Sequence, residues 1–289
     1  MPTGPKSIYL LPDGRHVWAN CLYAHRCVMI EVATRRITRE LKTPGEPVEC
    51  CFTQGGKRAW VSQYNTNSVV VLDTESGKIL HTIKVGKVPK VVAASPDDRW
   101  VYVANFGSAE VTVIDAQQCK AVKTIKVRRH PRGSCFSPDG KFAYVACMGG
   151  QALAKIEVAH DHRLIGYVPA GTTPRHVVIT KRGHRIYLSN NLTGRVSKID
   201  VGAEQIVASC KVGRQARTIA LSPDERRLAV CNNEDDSLSV VNTDTMTEAL
   251  RLKTGKHPIG CCFAAEGKQV WVSSYPWSKV YVYDLTSGA

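Results

Sequence analysis

Short runs in which apolar and polar residues alternate dominate this chain, and they predict β-strands rather than helices. Between Pro89 and Val127, four runs rich in Val, Ile and Tyr are separated by polar turns such as Ser95-Pro96-Asp97-Asp98. Strands of about five residues, with a turn signal about every ten residues, are typical of all-β proteins.

The pattern recurs along the whole chain with a nearly constant period. Seven units begin at anchor residues that are 42 or 43 positions apart: Pro5, Pro47, Pro89, Pro131, Pro174, Ala216 and Pro258. Thirteen residues after each anchor stand Trp18, Trp60, Tyr102, Tyr144, Tyr187, Ala229 and Trp271. Twenty-six residues after it stand Glu31, Asp73, Asp115, Glu157, Asp200, Asn242 and Asp284. The one extra residue falls between Glu157 and Pro174. Seven units of four strands predict a seven-bladed β-propeller.

Several units share a motif with a known repeat family. Ser95-Pro96-Asp97, Tyr102-Val103-Ala104-Asn105 and Val113-Ile114-Asp115 resemble the YVTN family of β-propeller repeats, of the surface-layer and cytochrome d1-like kind. Related triplets occur at Ser137-Pro138-Asp139 and Ser222-Pro223-Asp224. The resemblance covers residues 5–289 and implies a fold. It implies no single activity, because family members include scaffolds, binding proteins and enzymes.

Length and composition agree with one domain over residues 1–289. No linker, low-complexity segment or block of charge interrupts the repeats, and no apolar run approaches the ~20 residues of a membrane span. Only five residues follow Asp284 and four precede Pro5. We therefore expect a last blade of three strands, joined to the first blade by side-chain packing. We also expect a monomer that does not bind membranes.

The cysteines and the amino-terminal residues bear on the compartment. Eleven cysteines, without the spacing of a zinc finger, favour reduced thiols in a cytoplasmic protein. The first residues lack a secretory signal. A periplasmic or secreted location is the alternative if a leader was removed.

Charge provides the first indication of function. Lys and Arg number 39 against 25 Asp and Glu, which gives a net charge of +14 and a pI of about 9.4. The repeat phase indicates where part of this charge lies, because the residue after each anchor should face the central channel. Five of these seven residues are basic, namely Lys6, Lys90, Arg132, Arg175 and Arg217, and the other two are Val48 and Ile259. A ring of cations focuses its field on an anion. Alternatively, these side chains pack their stems against the neighbouring blade.

Loops on the same rim add further candidates. The loops that enter the anchors contribute His130 and His257, and His176 follows Arg175. The predicted ligand-binding residues are therefore Lys6, Lys90, Arg132, Arg175, Arg217, His130, His176 and His257.

Aromatic residues at loop tips, such as Tyr64, Tyr275 and Trp277, suit either base stacking or ordinary loop packing. The acidic segment Asn233-Glu234-Asp235-Asp236 suits either ion pairs with Arg or a hard cation. Its spacing does not match a calcium loop, so we predict no metal site.

Four residues are candidates for catalysis. Cys147, like Cys21, replaces the family's Asn at a position expected to face the rim, where nearby cations would lower the pKa of the thiol. His176 or His130 would then serve as the base. The alternative is a small residue at a strand end. Glu49 is either a general base within the ring or a partner in a buried ion pair.

The sequence thus predicts an all-β, seven-bladed propeller that binds a small anionic molecule. Two alternatives stay open: a lyase or hydrolase that uses His, Glu or Cys at the rim, and a protein that binds single-stranded nucleic acid. No Gly-rich phosphate loop, zinc signature, GxSxG or CxxCH is present. No motif therefore requires a cofactor.

Overall fold

Seven β-sheets form the fold in the computed structural model, which describes residues 1–285. Each of the first three blades has four strands: β1 (Pro5–Leu10), β2 (His16–Cys21), β3 (Arg26–Glu31) and β4 (Ile37–Lys42); β5 (Pro47–Thr53), β6 (Arg58–Gln63), β7 (Ser68–Asp73) and β8 (Ile79–Lys84); β9 (Pro89–Ala94), β10 (Trp100–Asn105), β11 (Glu110–Asp115) and β12 (Lys120–Lys126). The next three blades repeat this plan: β13 (Pro131–Phe136), β14 (Phe142–Cys147), β15 (Ala152–Glu157) and β16 (Arg163–Pro169); β17 (Pro174–Ile179), β18 (Arg185–Asn190), β19 (Arg195–Asp200) and β20 (Gln205–Lys211); β21 (Ala216–Leu221), β22 (Arg227–Asn232), β23 (Ser237–Asn242) and β24 (Thr247–Lys253). The seventh blade contains β25 (Pro258–Ala264), β26 (Gln269–Ser274) and β27 (Lys279–Asp284).

Within each blade the strands are antiparallel and follow chain order from the innermost strand outward. The predicted anchors are the first residues of the seven inner strands. Each inner strand contacts the next one around the ring, and β25 contacts β1. The seven-bladed fold and its strand number are therefore confirmed.

The predicted three-stranded last blade is also confirmed within residues 1–285. The strand order of this sheet is β25-β26-β27, and β1 pairs with β2 rather than with blade 7. Side chains join the two blades, as in the tilted contact between Tyr23 and Tyr275, whose ring centroids lie 5.6 Å apart. The last four residues of the chain lie outside the described part.

The apolar core is divided among the blades. Each of seven buried clusters combines side chains from two neighbouring blades; in one of them Trp18 of blade 1 packs beside Cys50 and Val61 of blade 2. The large aromatic residues that stand 13 positions after most anchors fill these interfaces. Among them, Trp18, Trp60 and Trp271 are essentially inaccessible to water. Burial of such side chains stabilises each interface by several kcal/mol, on the order of 1.5–3 kcal/mol per residue.

Polar side chains fix the turns in repeating ways. Ser95 Oγ accepts the Trp100 N–H at 2.9 Å and donates to Asp97. Asp115, one of the mostly acidic residues that stand 26 positions after the anchors, caps a turn: its Oδ1 accepts two backbone N–H groups at 2.9 Å. These side chains satisfy the backbone where the sheet pairing ends.

The one extra residue of the repeat lies in the outer part of blade 4, as predicted. The connection between Glu157 and Arg163 turns through Asp161 and His162, both in the left-handed region with φ of 54° and 50°. His162 is buried, and its Nδ1 lies 2.7 Å from the Tyr102 hydroxyl of blade 3. The insertion therefore adds a contact between blades.

Four single-turn 3₁₀ helices, Leu22–Ala24, Gln54–Gly56, Met148–Gly150 and Ala265–Gly267, complete the structure. In the described part of the chain, no helix is long and apolar enough to cross a membrane.

Candidate functional site in the central channel

The inner strand of every blade carries a β-bulge directly after its first residue. In blade 1, Pro5 pairs with Cys21 and Ser7 with Asn20, so Lys6 is the extra residue. The same register shift follows the anchor in each of the other six blades. A bulge breaks the alternation of side chains and re-aims the extra residue. The bulges carry the basic residues predicted from the sequence: Lys6, Lys90, Arg132, Arg175 and Arg217.

The five basic side chains of this bulge ring lie close enough to repel one another. Burial is the main cause that lowers the pKa of each, and repulsion by other members adds to it for Lys6, Lys90, Arg132 and Arg175. Arg132 contributes to this repulsion at Lys6, Lys90 and Arg175. The pKa falls to about 8 for Lys6, to about 6 for Lys90 and to about 10 for Arg132. The ring is therefore destabilised by its own charge.

Little of this charge is neutralised by the protein. Among residues 1–285, Lys6 is the one member of the bulge ring that forms an ion pair, with Glu49. The guanidinium groups of Arg132 and Arg175 donate to no protein acceptor in this part of the chain, although Arg175 is only 8% exposed. Arg217 donates one hydrogen bond to Gln215 at 2.8 Å, and its Nε is buried without a partner. Of these three guanidinium groups in residues 1–285, only Arg217 has a nitrogen that is sealed from solvent without a partner, which is costly, whereas the unpaired donors of Arg132 and Arg175 stay open to solvent.

Glu49 is an ionised carboxylate held by two groups of blade 1. Its Oε1 lies 3.2 Å from Lys6 Nζ, and its Oε2 accepts the Tyr9 hydroxyl at 2.5 Å. Burial alone would raise the pKa of Glu49, but Lys6, the Tyr9 hydrogen bond and further cations lower it to about 2. Of the two roles predicted for Glu49, the structure thus contains the buried ion pair. Such a carboxylate is a weak proton acceptor at neutral pH.

His176 is the second residue after the anchor of blade 5, and Glu49 occupies the same position in blade 2. Burial, followed by repulsion from Arg175 and Arg132, outweighs the attraction of Glu49 and lowers the pKa of His176 to about 4. Its Nδ1 is buried and has no hydrogen-bond partner in residues 1–285. The imidazole is therefore neutral at pH 7, and its unpaired Nδ1 is closed to solvent.

Buried serines hold the bulges in place. Ser62 Oγ accepts the Glu49 N–H at 3.2 Å and lies 2.8 Å from the Lys90 carbonyl of the next blade, to which it donates. Ser189 forms the same link between the His176 N–H and the Arg217 carbonyl, at 3.1 and 2.6 Å. Neither serine nor Tyr9 was a candidate from the sequence. The signal that was available is a serine just before the last residue of the second strand, which recurs in these blades and at Ser273.

Aromatic side chains surround Lys90. Its Nζ lies 4.1 Å from the centroid of the Tyr64 ring and 5.9 Å from that of Phe106. His130 stacks on Phe106 with ring centroids 4.5 Å apart and planes at 13°. A cation over an aromatic face is attracted by the ring, but this attraction is weaker than that of a carboxylate.

Two predicted ligand-binding histidines are distinct from the buried group. His130 and His257 are the residues before their anchors, both have positive φ, and both are exposed. His257 Nδ1 lies 3.1 Å from the Asn233 carbonyl oxygen. Of the predicted ligand-binding residues, the structure brings together the five basic residues of the bulge ring and His176. Glu49, a predicted catalytic candidate, lies in the same group.

The acidic segment of blade 6 is engaged in ion pairs. Arg214 Nε lies 2.6 Å from Asp235 Oδ1, and Arg251 lies 3.9 Å from the other oxygen of this carboxylate. Pairing with Arg, one of the two predicted roles, is therefore what these residues do in the structure.

The expectation that Cys21 and Cys147 face the rim with activated thiols is wrong. Both are fully buried, because the last residue of each second strand packs inside the blade. Burial raises the pKa of Cys147 to about 11 and that of Cys21 to about 12. These thiols are therefore protonated at neutral pH, and Cys147 is removed as a catalytic candidate.

Comparisons with known proteins agree on the fold. A family profile described as "Lactonase, 7-bladed beta-propeller" matches residues 78–209, which is less than half of the chain. No curated protein matches the sequence.

Two solved propellers have very similar backbones. Hydrazine synthase from Kuenenia stuttgartiensis superposes with a TM-score of 0.90 at 21% identity, over 99% of this chain and 96% of that one. The Cps50 (Swd1) β-propeller domain from Myceliophteria thermophila gives a TM-score of 0.86 at 11% identity, over 99% and 98% of the two chains. At such identities the likeness establishes the fold and says nothing about activity.

Proposed function

We propose that this protein binds a small, multiply charged anion among the cations of its bulge ring. The observation that carries the proposal is the pair of guanidinium groups of Arg132 and Arg175, which are at least half-buried and donate to no protein acceptor in residues 1–285. Guanidinium groups form charge-assisted, often bidentate, hydrogen bonds with carboxylate and phosphate. An anion would satisfy these donors.

The electrostatics of the ring support the same conclusion. Five basic residues share one bonded carboxylate, Glu49, and each of the five has a lowered pKa. Confined charge of one sign concentrates a field on a partner of the opposite sign. Binding an anion would relieve this repulsion and raise these pKa values again. A di- or trianion complements the ring better than a monoanion does.

The rigid backbone of the ring also favours binding. The serine links from Ser62 and Ser189 fix the carbonyl groups of Lys90 and Arg217 relative to the neighbouring blades. Donors that are held in place before binding lose little conformational freedom when the ligand arrives.

A thermal-shift series tests the proposal at constant ionic strength and pH 7. Acetate, malonate, citrate and inorganic phosphate provide one to three charges. We expect the melting temperature to rise with anion charge for the wild type. The rise should be lost in Arg175→Ala but kept in Arg36→Ala, whose side chain is exposed. If no anion stabilises the protein more than chloride does, or if Arg175→Ala responds like the wild type, the proposal is wrong.

Hydrolysis of a lactone is the second candidate function. The lactonase profile match and the neutral imidazole of His176 favour it. His176 would accept a proton from a water molecule as its oxygen attacks the lactone carbonyl. The ring C–O bond then breaks, the alkoxide takes up a proton, and the product is a hydroxy acid. The cations would stabilise the oxyanion that forms on attack.

Turnover of a sugar lactone at pH 7 tests this second candidate. His176→Gln keeps a polar side chain of similar size but cannot act as a base, so it should lose about 10²-fold or more in rate. Arg36→Ala should retain the wild-type rate. A wild-type rate equal to the rate in buffer, or full activity of His176→Gln, excludes His176 as the base for this reaction.

A further inference from the structure

Lys90 is a buried lysine of the bulge ring without a carboxylate partner. Its side chain is largely enclosed, at 9% exposure, and in residues 1–285 its Nζ forms no hydrogen bond or ion pair. The nitrogen is not among the buried polar atoms that are sealed from solvent. Its neighbours are the faces of Tyr64 and Phe106, with Nζ 4.1 and 5.9 Å from their centroids. The amine is thus enclosed but reachable.

Lys6 provides a comparison within the same ring. It occupies the bulge of blade 1 as Lys90 occupies that of blade 3, and both are 9% exposed. Lys6 is held as a cation by Glu49 at 3.2 Å. At Lys90, burial and the repulsion of Arg132, Lys6 and Arg175 exceed the attraction of Glu49. Two lysines in equivalent backbone positions therefore differ in protonation: the pKa is about 6 for Lys90 and about 8 for Lys6.

We propose that Lys90 is a nucleophile that forms a Schiff base with a carbonyl-bearing anion, such as a 2-oxo acid, held by the arginines of the bulge ring. The inference rests on the proposed function, because Arg132 and Arg175 would bind the carboxylate and thereby direct the adjacent carbonyl toward Nζ. An amine that is desolvated and surrounded by other cations is a recognised type of activated lysine nucleophile.

The chemistry needs no further reactant. The lone pair of the neutral Lys90 amine attacks the carbonyl carbon, and a proton moves from nitrogen to the carbonyl oxygen to give a carbinolamine. Loss of this oxygen as water, with the second proton from nitrogen, forms the C=N bond. One amine and one carbonyl compound thus yield one imine and one water. The rings of Tyr64 and Phe106 form an apolar wall beside the new bond.

Reductive trapping of the intact protein tests the inference. The protein is incubated at pH 7 with glyoxylate and cyanoborohydride, which reduces the imine to a stable amine, and peptide masses locate the adduct. The pKa of Lys90, at about 6, lies below that of Lys6, at about 8, so a larger share of Lys90 is neutral at this pH. We therefore expect Lys90 to be labelled faster than Lys6, and also faster than the exposed lysines.

Two variants and a neutral reagent define the controls. Lys90→Arg keeps a long basic side chain without the primary amine and should abolish labelling at this position. Arg175→Ala should slow labelling by glyoxylate about tenfold or more, because the anion is no longer held. Formaldehyde, which carries no charge, should be slowed by Arg175→Ala less than glyoxylate is, because the loss of Arg175 then acts only through the pKa of Lys90.

The outcomes separate this inference from the proposed function. If malonate binds but glyoxylate leaves Lys90 unlabelled, the inference is wrong and the anion site stands. Labelling of Lys90 that is equally fast in Arg175→Ala also overturns it, since the capture would not be directed by the anion site. If malonate does not bind at all, the proposed function itself has failed.

Discussion

Lys6 and Glu49 form an ion pair across the boundary between blades 1 and 2, with Nζ 3.2 Å from Oε1. Both side chains belong to bulges of inner strands, and both are buried. The pair neutralises one charge of a ring that has four further basic residues. The unpaired remainder is the feature from which the functional proposal starts.

The first prediction concerns the support that Tyr9 gives to this pair. Tyr9→Phe removes a hydroxyl that donates to Glu49 at 2.5 Å. Hydrogen bonds to charged groups contribute ~1.5–3 kcal/mol, so we expect a decrease of that size in the free energy of unfolding in urea at pH 7. The matched control is Tyr283→Phe, whose half-exposed hydroxyl donates to the Lys253 carbonyl oxygen at 2.9 Å. A cost no larger than the control's would contradict the structural role assigned to Tyr9.

The same variant should also change the response to acid. The pKa of Glu49 is lowered to about 2, so this carboxylate stabilises the fold above its ordinary pKa, and the effect is lost as the pH falls toward 2. The Tyr9 hydrogen bond is one cause of this lowering. The difference between the wild type and Tyr9→Phe should therefore shrink as the pH is lowered from 5 to about 2. A difference that is constant over this range would show that Glu49 does not titrate as described.

The second prediction concerns the spacing between blades at the bulges. Gly133 follows Arg132, and a Cβ at this position would lie 2.7 Å from the Arg175 carbonyl oxygen of the next blade. Gly133→Ala should therefore displace the Arg175 bulge, lower stability by ~1–3 kcal/mol and weaken anion binding. Gly166→Ala is the control, because a Cβ there has nothing within 4 Å. Urea unfolding and a malonate titration measure both effects. Equal behaviour of the two variants would contradict the close packing at Gly133.

The third prediction concerns pH and Lys90. The folded protein releases this proton near pH 6, whereas an unfolded lysine holds it to ~10.4. Between these values the unfolded state binds more protons, so stability rises with pH, by up to about 1.4 kcal/mol per unit from this group. Below pH 6 both states are protonated and the destabilisation is complete.

Lys90→Met should remove this contribution. From pH 6 to 8 its free energy of unfolding should rise less steeply than that of the wild type, whereas Lys57→Met, at an exposed position, should follow the wild type. Unfolding curves at four pH values measure the slopes. Identical slopes for Lys90→Met and the wild type would mean that Lys90 has an ordinary pKa.

The fourth prediction separates a small anion from single-stranded nucleic acid. A strand that spans several cations should give a slope of log K against log salt of about −0.7 for each neutralised phosphate. Exposed rim aromatics such as Trp277 would then contribute ~1–3 kcal/mol per stacked base. We expect instead a shallow slope for malonate, no measurable binding of an oligonucleotide at physiological salt, and no effect of Trp277→Ala. A steep slope together with a large effect of Trp277→Ala would favour the nucleic-acid alternative.

The repeat made the fold predictable from the sequence. The spacing of anchors such as Pro47 and Pro89 predicted the first residue of each inner strand, and the three-stranded last blade was predicted as well. These features are local or periodic, so a single sequence displays them. The constant spacing of the repeats also indicated that Lys90 and Arg132 occupy equivalent positions in their blades.

The details of the site were less predictable, because they depend on register and on contacts between blades. The bulge that places Lys6 inside the ring is a shift in strand pairing, which no residue type marks. Cys147 was expected at the rim, yet the strand end that carries it is covered by packing inside the blade. Tyr9 reaches Glu49 across 40 positions of sequence, so only the assembled blades reveal their hydrogen bond.

Titration calorimetry with malonate, citrate and phosphate at pH 7 tests the central claim most directly. We expect one site per chain for the anions that bind. The double variant Arg132→Ala, Arg175→Ala should not bind, and Arg36→Ala should bind like the wild type. The account is contradicted if none of the three anions binds the wild type, or if the double variant binds as tightly as Arg36→Ala.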